Sequence, residues 1–452
     1  MENIILSISL FLAAMAGTLF VVGRGWNGSF LSFLFADRSL KIGSAGLAIS
    51  AHWFWAIAIF VGPAIAYNWG LIGLLWFVIP NALSLLVVGF ITHRVREQYP
   101  DGYSLTQYIK ENFSARVSAL YQLEFMIIAF AALLLAFTAI GKLWAFTGLG
   151  VIIDPTYVSL LVGLITLLFT MNGGIRTSIF TGAVLSVLWL ALTAAVLIAI
   201  GLSDLPFISL GKNSLDTFFN EKFITTFAVA WFITVMSGAV GHGMMWQKAF
   251  SMPKENILPS FGLASIVFAF ITFGVSCLGM FAFANGFDIK SPDTTQMMGL
   301  VSLMGAGALV YFATIVVGQT STVIDSALNY VASLVSAEWL NKEQVATSRI
   351  IMCVFMLAAW LVSWAKIEIW SIVMLMGCIR VSMFTPIALH ALRFKLKENV
   401  LFFVAVVTII GSFSLSYIAR TDKLPIFDMY SALWAFLVPS ITLLLTRNKN
   451  SG

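Results

Sequence analysis

Charge is scarce in this sequence. Only 10% of its 452 residues are Asp, Glu, Lys or Arg, against about 25% in soluble domains. That composition excludes a soluble globular enzyme. It also excludes a disordered chain, which is poor in apolar residues and rich in charge. Cysteine is scarce too. Cys277, Cys353 and Cys378 sit singly in apolar runs, a spacing that gives no disulfide framework. The net charge of +5 is modest, and the basic residues lie one by one between apolar segments. No patch for nucleic acid results.

What the sequence has in abundance is apolar length. Hydrophobic residues make up 60% of the chain, and a membrane-spanning helix needs about 20 of them in a row. Such runs fall at 4–23, 42–66, 70–92, 117–146, 152–172, 177–202, 224–246, 258–286, 305–335, 345–365, 367–391, 399–419 and 427–446. An all-α polytopic membrane protein of about thirteen spans is expected. The chain opens Met1-Glu2-Asn3 with no basic n-region, so the first span reads as a retained helix. With the N-terminus outside, most of the basic residues, among them Arg94, Arg96, Lys110, Arg116, Arg393 and Lys395, lie on the inner side. The positive-inside rule then predicts an outside N-terminus and a cytoplasmic C-terminus in an inner or plasma membrane. Loop 94–116 is expected to hold a short amphipathic helix. The sequence ends at Gly452 soon after its last span, so no appended kinase, nuclease or sensing domain is expected.

Transporters built from inverted repeats carry Gly/Pro-interrupted helices at matching places in their halves. Segment 42–66 is interrupted at Gly62-Pro63, and segment 224–246 carries Gly238, Gly241 and Gly243. Counting five spans from each gives repeats at 42–202 and 224–391. The division leaves an extra N-terminal helix and loop at 1–41 and an extracellular loop at 203–223. Two C-terminal helices and a tail fill 392–452. The competing reading is that glycines in membrane helices merely permit close packing. The helix breaks are expected at Gly62, Pro63 and Gly241.

Ionisable groups at mid-membrane cost roughly 2.5–3.5 kcal/mol each on insertion scales, so each needs a reason. Asp325 and Arg380 lie mid-span and are expected to form an intramembrane pair, structural or gating. Glu124 reads as a carboxylate at the interface or facing a loop. His52 is either a hydrogen-bonded core histidine or a proton carrier. Thr320-Ser321-Thr322 either bond back to their own helix or offer oxygens to a small cation. Trp53 and Trp55 lie too deep for interface anchors and suit the wall of a solute site.

Several passages, in order, resemble the sodium/solute symporter family. FADRSLKIGSAGLAIS resembles its A-G-R-S-L passage, NGGIRTSIFTG its G-G-L-K-A-V-x-W-T-D, and WQKAF its W-Q-R. TSTVIDSALNYVASLVSAEWL resembles its S-S-x-D-S-x-L-N stretch. The resemblance covers roughly 35–395 and implies the LeuT-like five-plus-five inverted repeat and alternating access. His52-Trp53-Phe54-Trp55-Ala56 resembles the Q-W-T-W-A segment of the urea-transporting branch, with A-Y-N-W-G following.

The resemblance also implies a cation site of two backbone positions and two hydroxyls. It places the backbone positions at Ala51 and Phe54. One register puts the hydroxyls at Thr322 and Val323, losing the second; a shift by one gives Ser321 and Thr322. The family's supporting Asp is Gly182 here. Sodium is the expected coupling ion at Ala51, Phe54, Ser321 and Thr322, with a proton as the alternative. Solute is expected near His52, Trp53, Trp55, Ser237 and Gly238. The implied function is symport of a small polar solute, urea first, across the lipid bilayer. The alternatives are an uncoupled facilitator or channel and a membrane sensor module. No catalytic or cofactor motif is visible, so no enzyme is expected.

Overall fold

The computed structural model describes residues 28–102, 104–146, 153–203, 215–287, 294–367, 369–422 and 424–446, with the isolated positions 9 and 17. The first expected span, 4–23, lies outside them apart from those two positions. Among the described residues every regular element is helical, and ten helices are long and apolar enough to cross a membrane. In lipid this is the expected solution, because a helix satisfies all its backbone groups within itself.

A short helix α1 (Phe30–Phe35), capped by Ser29, leads into a left-handed run at Ala36, Asp37 and Arg38. Two side chains hold this run. Asp37 Oδ2 accepts from Ser32 Oγ at 2.7 Å and from Arg176 Nη2 at 2.8 Å. The Arg38 guanidinium forks onto the carbonyls of Pro100, Asp101 and Gly102.

Helix α2 (Ile42–Trp53) stops halfway through the expected span. A π-helical turn (Ile57–Val61) then leads into α3 (Gly62–Gln98). Gly70 interrupts α3 at φ 59°, ψ −149°, a region open mainly to glycine. The chain doubles back there: a Cβ added to Gly73 would lie 3.0 Å from Ile65 O. The short helix α4 (Leu105–Asn112), expected from loop 94–116, is capped by Ser104 and buries Leu105, Thr106, Tyr108 and Ile109. Helix α5 (Ala115–Phe146) follows.

Helix α6 (Pro155–Gly201) has 47 residues, about 70 Å if straight and more than twice the hydrocarbon core. Gly174, at φ 57°, ψ −141°, resolves the excess by dividing it into two spans.

A second π-helical turn (Ile224–Ala228) precedes α7 (Val229–Gly238). The backbone leaves the helix at 239–242 and resumes in α8 (Gly243–Phe250). Then come α9 (Lys254–Ala284), a short α10 (Thr295–Met304) and α11 (Ala306–Ser333). Helices α12 (Val345–Ser363) and α13 (Ile369–Ala391) follow. The last pair is α14 (Glu398–Thr421) and α15 (Ile426–Thr446), pinned by Arg420 on both Asp428 oxygens at 2.8 Å.

The core is built around α2, α7, α8 and α11. Helix α11 is buried from Phe312 to Ser333 with a single partly exposed position, Thr314. Helix α12 instead exposes Ile350, Val354, Leu357 and Leu361 along one face, the pattern of a helix against lipid. Lipid tails give no hydrophobic drive for helix association, so close backbone approach must supply the contacts. Gly182 provides one: its Cβ would lie 3.0 Å from Ala48 Cα.

Candidate functional site

The two mid-span breaks meet. Helix α2 ends at Trp53, and Phe54 takes φ −83°, ψ 72°. This lies two helical turns before Gly62-Pro63, where the break was expected. Gly62 and Pro63 instead open α3, and proline is tolerated in a first helical turn because its missing N–H has little to bond. The second break does contain Gly241. Across the gap the His242 ring lies 5.1 Å from His52, 5.7 Å from Trp53 and 5.6 Å from Trp55.

Around this junction Trp53, Trp55, Phe77, Asn81, Trp231, Thr234 and Arg380 enclose about 20 Å³ of open space, close to what one buried water needs. Trp231 stacks on Phe77 at 4.7 Å and on Phe227 at 5.7 Å, which fixes one wall. Trp53 Nε1, both ring nitrogens of His52 and Nδ1 of His242 are buried with no hydrogen-bond partner among the described residues. Buried polar atoms are normally satisfied, so these stand ready for something that enters.

Of the expected solute residues, Trp53 and Trp55 line the space and His52 sits beside it. The Ser237 hydroxyl donates to its own helix at Ile233 O. Gly238 makes room for Arg380, whose Cζ would lie 3.4 Å from a Cβ there.

Arg380 does not pair with Asp325. Each has its own neighbours. Arg380 backs the break itself, with Cα 2.8 Å from a Cβ placed on Gly241. Asp325 faces the second span of α6 and the segment after the break. Its Oδ1 accepts from Ser178 Oγ at 2.6 Å and Ser326 Oγ at 3.1 Å, and its Oδ2 from Thr181 Oγ1 at 3.3 Å. Lys248 Nζ donates to the same two serines, at 2.9 Å to Ser326 and 3.3 Å to Ser178. Lys248 is 2% exposed. The sequence reading gives Lys248 no role, although its lodging in the apolar run WQKAF signals burial. Glu124 also departs from expectation. It is buried on α5 with neither carboxylate oxygen partnered among the described residues.

The expected cation residues divide. Ala51 O and Thr322 Oγ1 come together, but around Gln319, whose Nε2 donates to Ala51 O and, at 3.2 Å, to Thr322 Oγ1. The Ser321 hydroxyl bonds back to Val317 O at 3.0 Å. The Phe54 ring packs on Trp189 at 4.7 Å, and its backbone N–H closes on Ser50 O at 2.8 Å.

No family model matches the chain. "Probable urea active transporter 3" of Schizosaccharomyces pombe is 26% identical over 149 residues, which is 32% of this chain and 22% of the relative. "Urea-proton symporter DUR3" of Oryza sativa subsp. japonica is 24% identical over 156 residues, 34% of this chain and 21% of the relative. The matches thus span about a fifth of the length of these curated relatives.

Among solved structures, a Na+-coupled sialic acid symporter in a substrate-bound outward-open state aligns with a TM-score of 0.72. It is 14% identical, with 99% of each chain covered. MHP1, a nucleobase-cation-symport-1 transporter closed on bromovinylhydantoin, aligns with a TM-score of 0.54 at 13% identity, covering 92% of this chain and 94% of its own. MhsT in complex with L-phenylalanine aligns with a TM-score of 0.52 at 13% identity, covering 90% and 98%. These relatives and neighbours are transporters, not enzymes. The chain is a multi-span membrane protein with the LeuT-like fold, and its likenesses support the resemblance to the sodium/solute symporters.

Proposed function

We propose that this chain is a secondary active transporter that moves a small polar solute by alternating access, driven by a cation gradient, with urea as the solute. The observation that carries the reading is the meeting of two mid-span breaks at a tryptophan-walled cavity beside Arg380. Broken helices leave backbone groups free for a solute at the bilayer midplane. The guanidinium fork and the Trp53 indole N–H are donors suited to one carbonyl oxygen. Ring nitrogens of His52 and His242 can accept N–H groups in their neutral tautomers. Flat aromatic faces suit a planar solute. Urea has one such oxygen, two NH2 groups and a planar frame, and the two curated relatives named for urea favour it.

Urea is larger than one water, so its binding requires side chains to move from the positions described. The reading includes repeats at 42–202 and 224–391 around this centre, and an outside N-terminus with a cytoplasmic C-terminus. A second reading, an uncoupled facilitator, draws on Gly182 and Val323, which lack the oxygens the symporter resemblance implies.

The test is radiolabelled urea uptake into proteoliposomes under an inward sodium gradient, an inward proton gradient, or neither. Accumulation under one gradient is the expected result. Equal entry under all three favours the facilitator, and no entry rejects urea. Arg380→Lys keeps the charge and loses the fork, and should cut uptake at least about tenfold. Unchanged uptake would remove Arg380 from the solute site.

A further inference from the structure

The end of α2 poses an electrostatic problem. Its last carbonyls, Ala51 O among them, have no following helical N–H to accept from, and they carry the negative end of the helix dipole. They are buried, with Ala51 1% exposed. Such an end calls for a cation or for a hydrogen-bond donor.

Here the donor belongs to the chain itself. Gln319 is 0% exposed. Its Nε2 donates to Ala51 O and to Thr322 Oγ1, and its Oε1 accepts from Trp189 Nε1 at 3.1 Å. The orientation of the amide is not arbitrary. An indole N–H only donates, so the atom facing Trp189 must be the oxygen, which turns both amide hydrogens toward α2 and Thr322. Trp189 is itself 0% exposed and boxed by Phe54 and Phe312.

We propose that Gln319 is a built-in substitute for a cation: its amide nitrogen occupies the point between α2 and α11 where sodium would sit, and this chain binds no sodium there. A sodium ion would have to break three hydrogen bonds and swing the amide aside. It would then find a single side-chain oxygen, that of Thr322, because Val323 has none to offer and the Ser321 hydroxyl is bonded back to Val317 O. Gly182 cannot be repaired either, since a larger side chain there meets Ala48. The inference deepens the transport reading by removing sodium at this site from the candidate driving ions. It is tested by binding alone, so failure of the transport reading would not decide it.

The protein, purified in detergent, is melted in sodium, potassium or choline chloride at equal ionic strength. The wild-type midpoint should be the same in all three. Two variants should acquire a sodium-specific rise: Gln319→Glu, which keeps the shape and adds a carboxylate, and the double variant Gln319→Ala, Val323→Ser, which vacates the point and restores a hydroxyl. Sodium at about a hundred times its half-saturating concentration would raise the folded-to-unfolded ratio about a hundredfold. A saturable sodium-specific rise in the wild type that Thr322→Val abolishes overturns the proposal. Absence of any gain in both variants also overturns it, since Gln319 would then not be what keeps the ion out.

Discussion

Neutralising Lys248 and Asp325 singly and together measures whether the two buried charges act as a unit. The path between them runs through Ser326 Oγ, 2.9 Å from Nζ and 3.1 Å from Oδ1, so the charges lie at most about 6 Å apart. At that separation and an effective dielectric of about 20, unit charges attract by about 3 kcal/mol. Lys248→Met strands a carboxylate held by the hydroxyls of Ser178, Thr181 and Ser326, and Asp325→Asn strands an ammonium among hydroxyls. Breaking one side of a buried pair costs about 3–5 kcal/mol. The double variant should therefore lose about 3 kcal/mol less than the sum of the single losses. SDS-titrated unfolding in mixed micelles reads these differences. Single losses that add to within about 0.5 kcal/mol would refute the coupling.

The two glycines beside Arg380 should tolerate a methyl group unequally. Gly241→Ala puts a Cβ 2.8 Å from Arg380 Cα and 3.0 Å from its carbonyl oxygen, backbone that cannot yield; a loss of about 1–3 kcal/mol is expected. Gly238→Ala meets the guanidinium at an ordinary 3.4 Å and should cost under about 1 kcal/mol; the same unfolding titration compares them. Outside the spans, hydrogen bonds from Thr156 hold the Asp154 carboxyl below its usual range. That contribution is present above the ordinary value near about 4 and is lost as pH falls through the depressed one. Asp154→Asn should remove it, so the acid limb of a melting-temperature profile below about pH 4 should flatten.

The spans were legible because bilayer thickness forces long apolar runs, and the turns at Gly70 and Gly174 separate runs already visible as distinct. Details that depend on which neighbour a side chain meets were not legible. The first break carries no glycine or proline; Phe54 turns there while Gly62-Pro63 stays helical. Asp325 and Arg380 share only depth, and depth does not fix a partner: Lys248, brought back by the second broken helix, reaches the Asp325 network instead. Gln319 drew no attention because it is neutral, although it opens the polar run Gln319-Thr320-Ser321-Thr322. Its meaning depends on Ala51 and Trp189, both far away in sequence. Trp53 and Trp55 do line the cavity at the breaks, because burial that deep leaves an aromatic little to do except form a wall.

Helix α2 can also be regarded as a lever. It is 12 residues long, about 18 Å from the pivot at Phe54 to its far tip. A tilt of about 20° would carry that tip roughly 6 Å sideways by simple trigonometry on that length, enough to open a file of water beside it. The tip is not loose. Just beyond it, Arg38 grips three carbonyls of the segment 100–102. Any swing of the arm would have to drag that segment along or release the grip, so in the proposed transport cycle opening at this end is tied to the clasp, a lever's length away from the cavity.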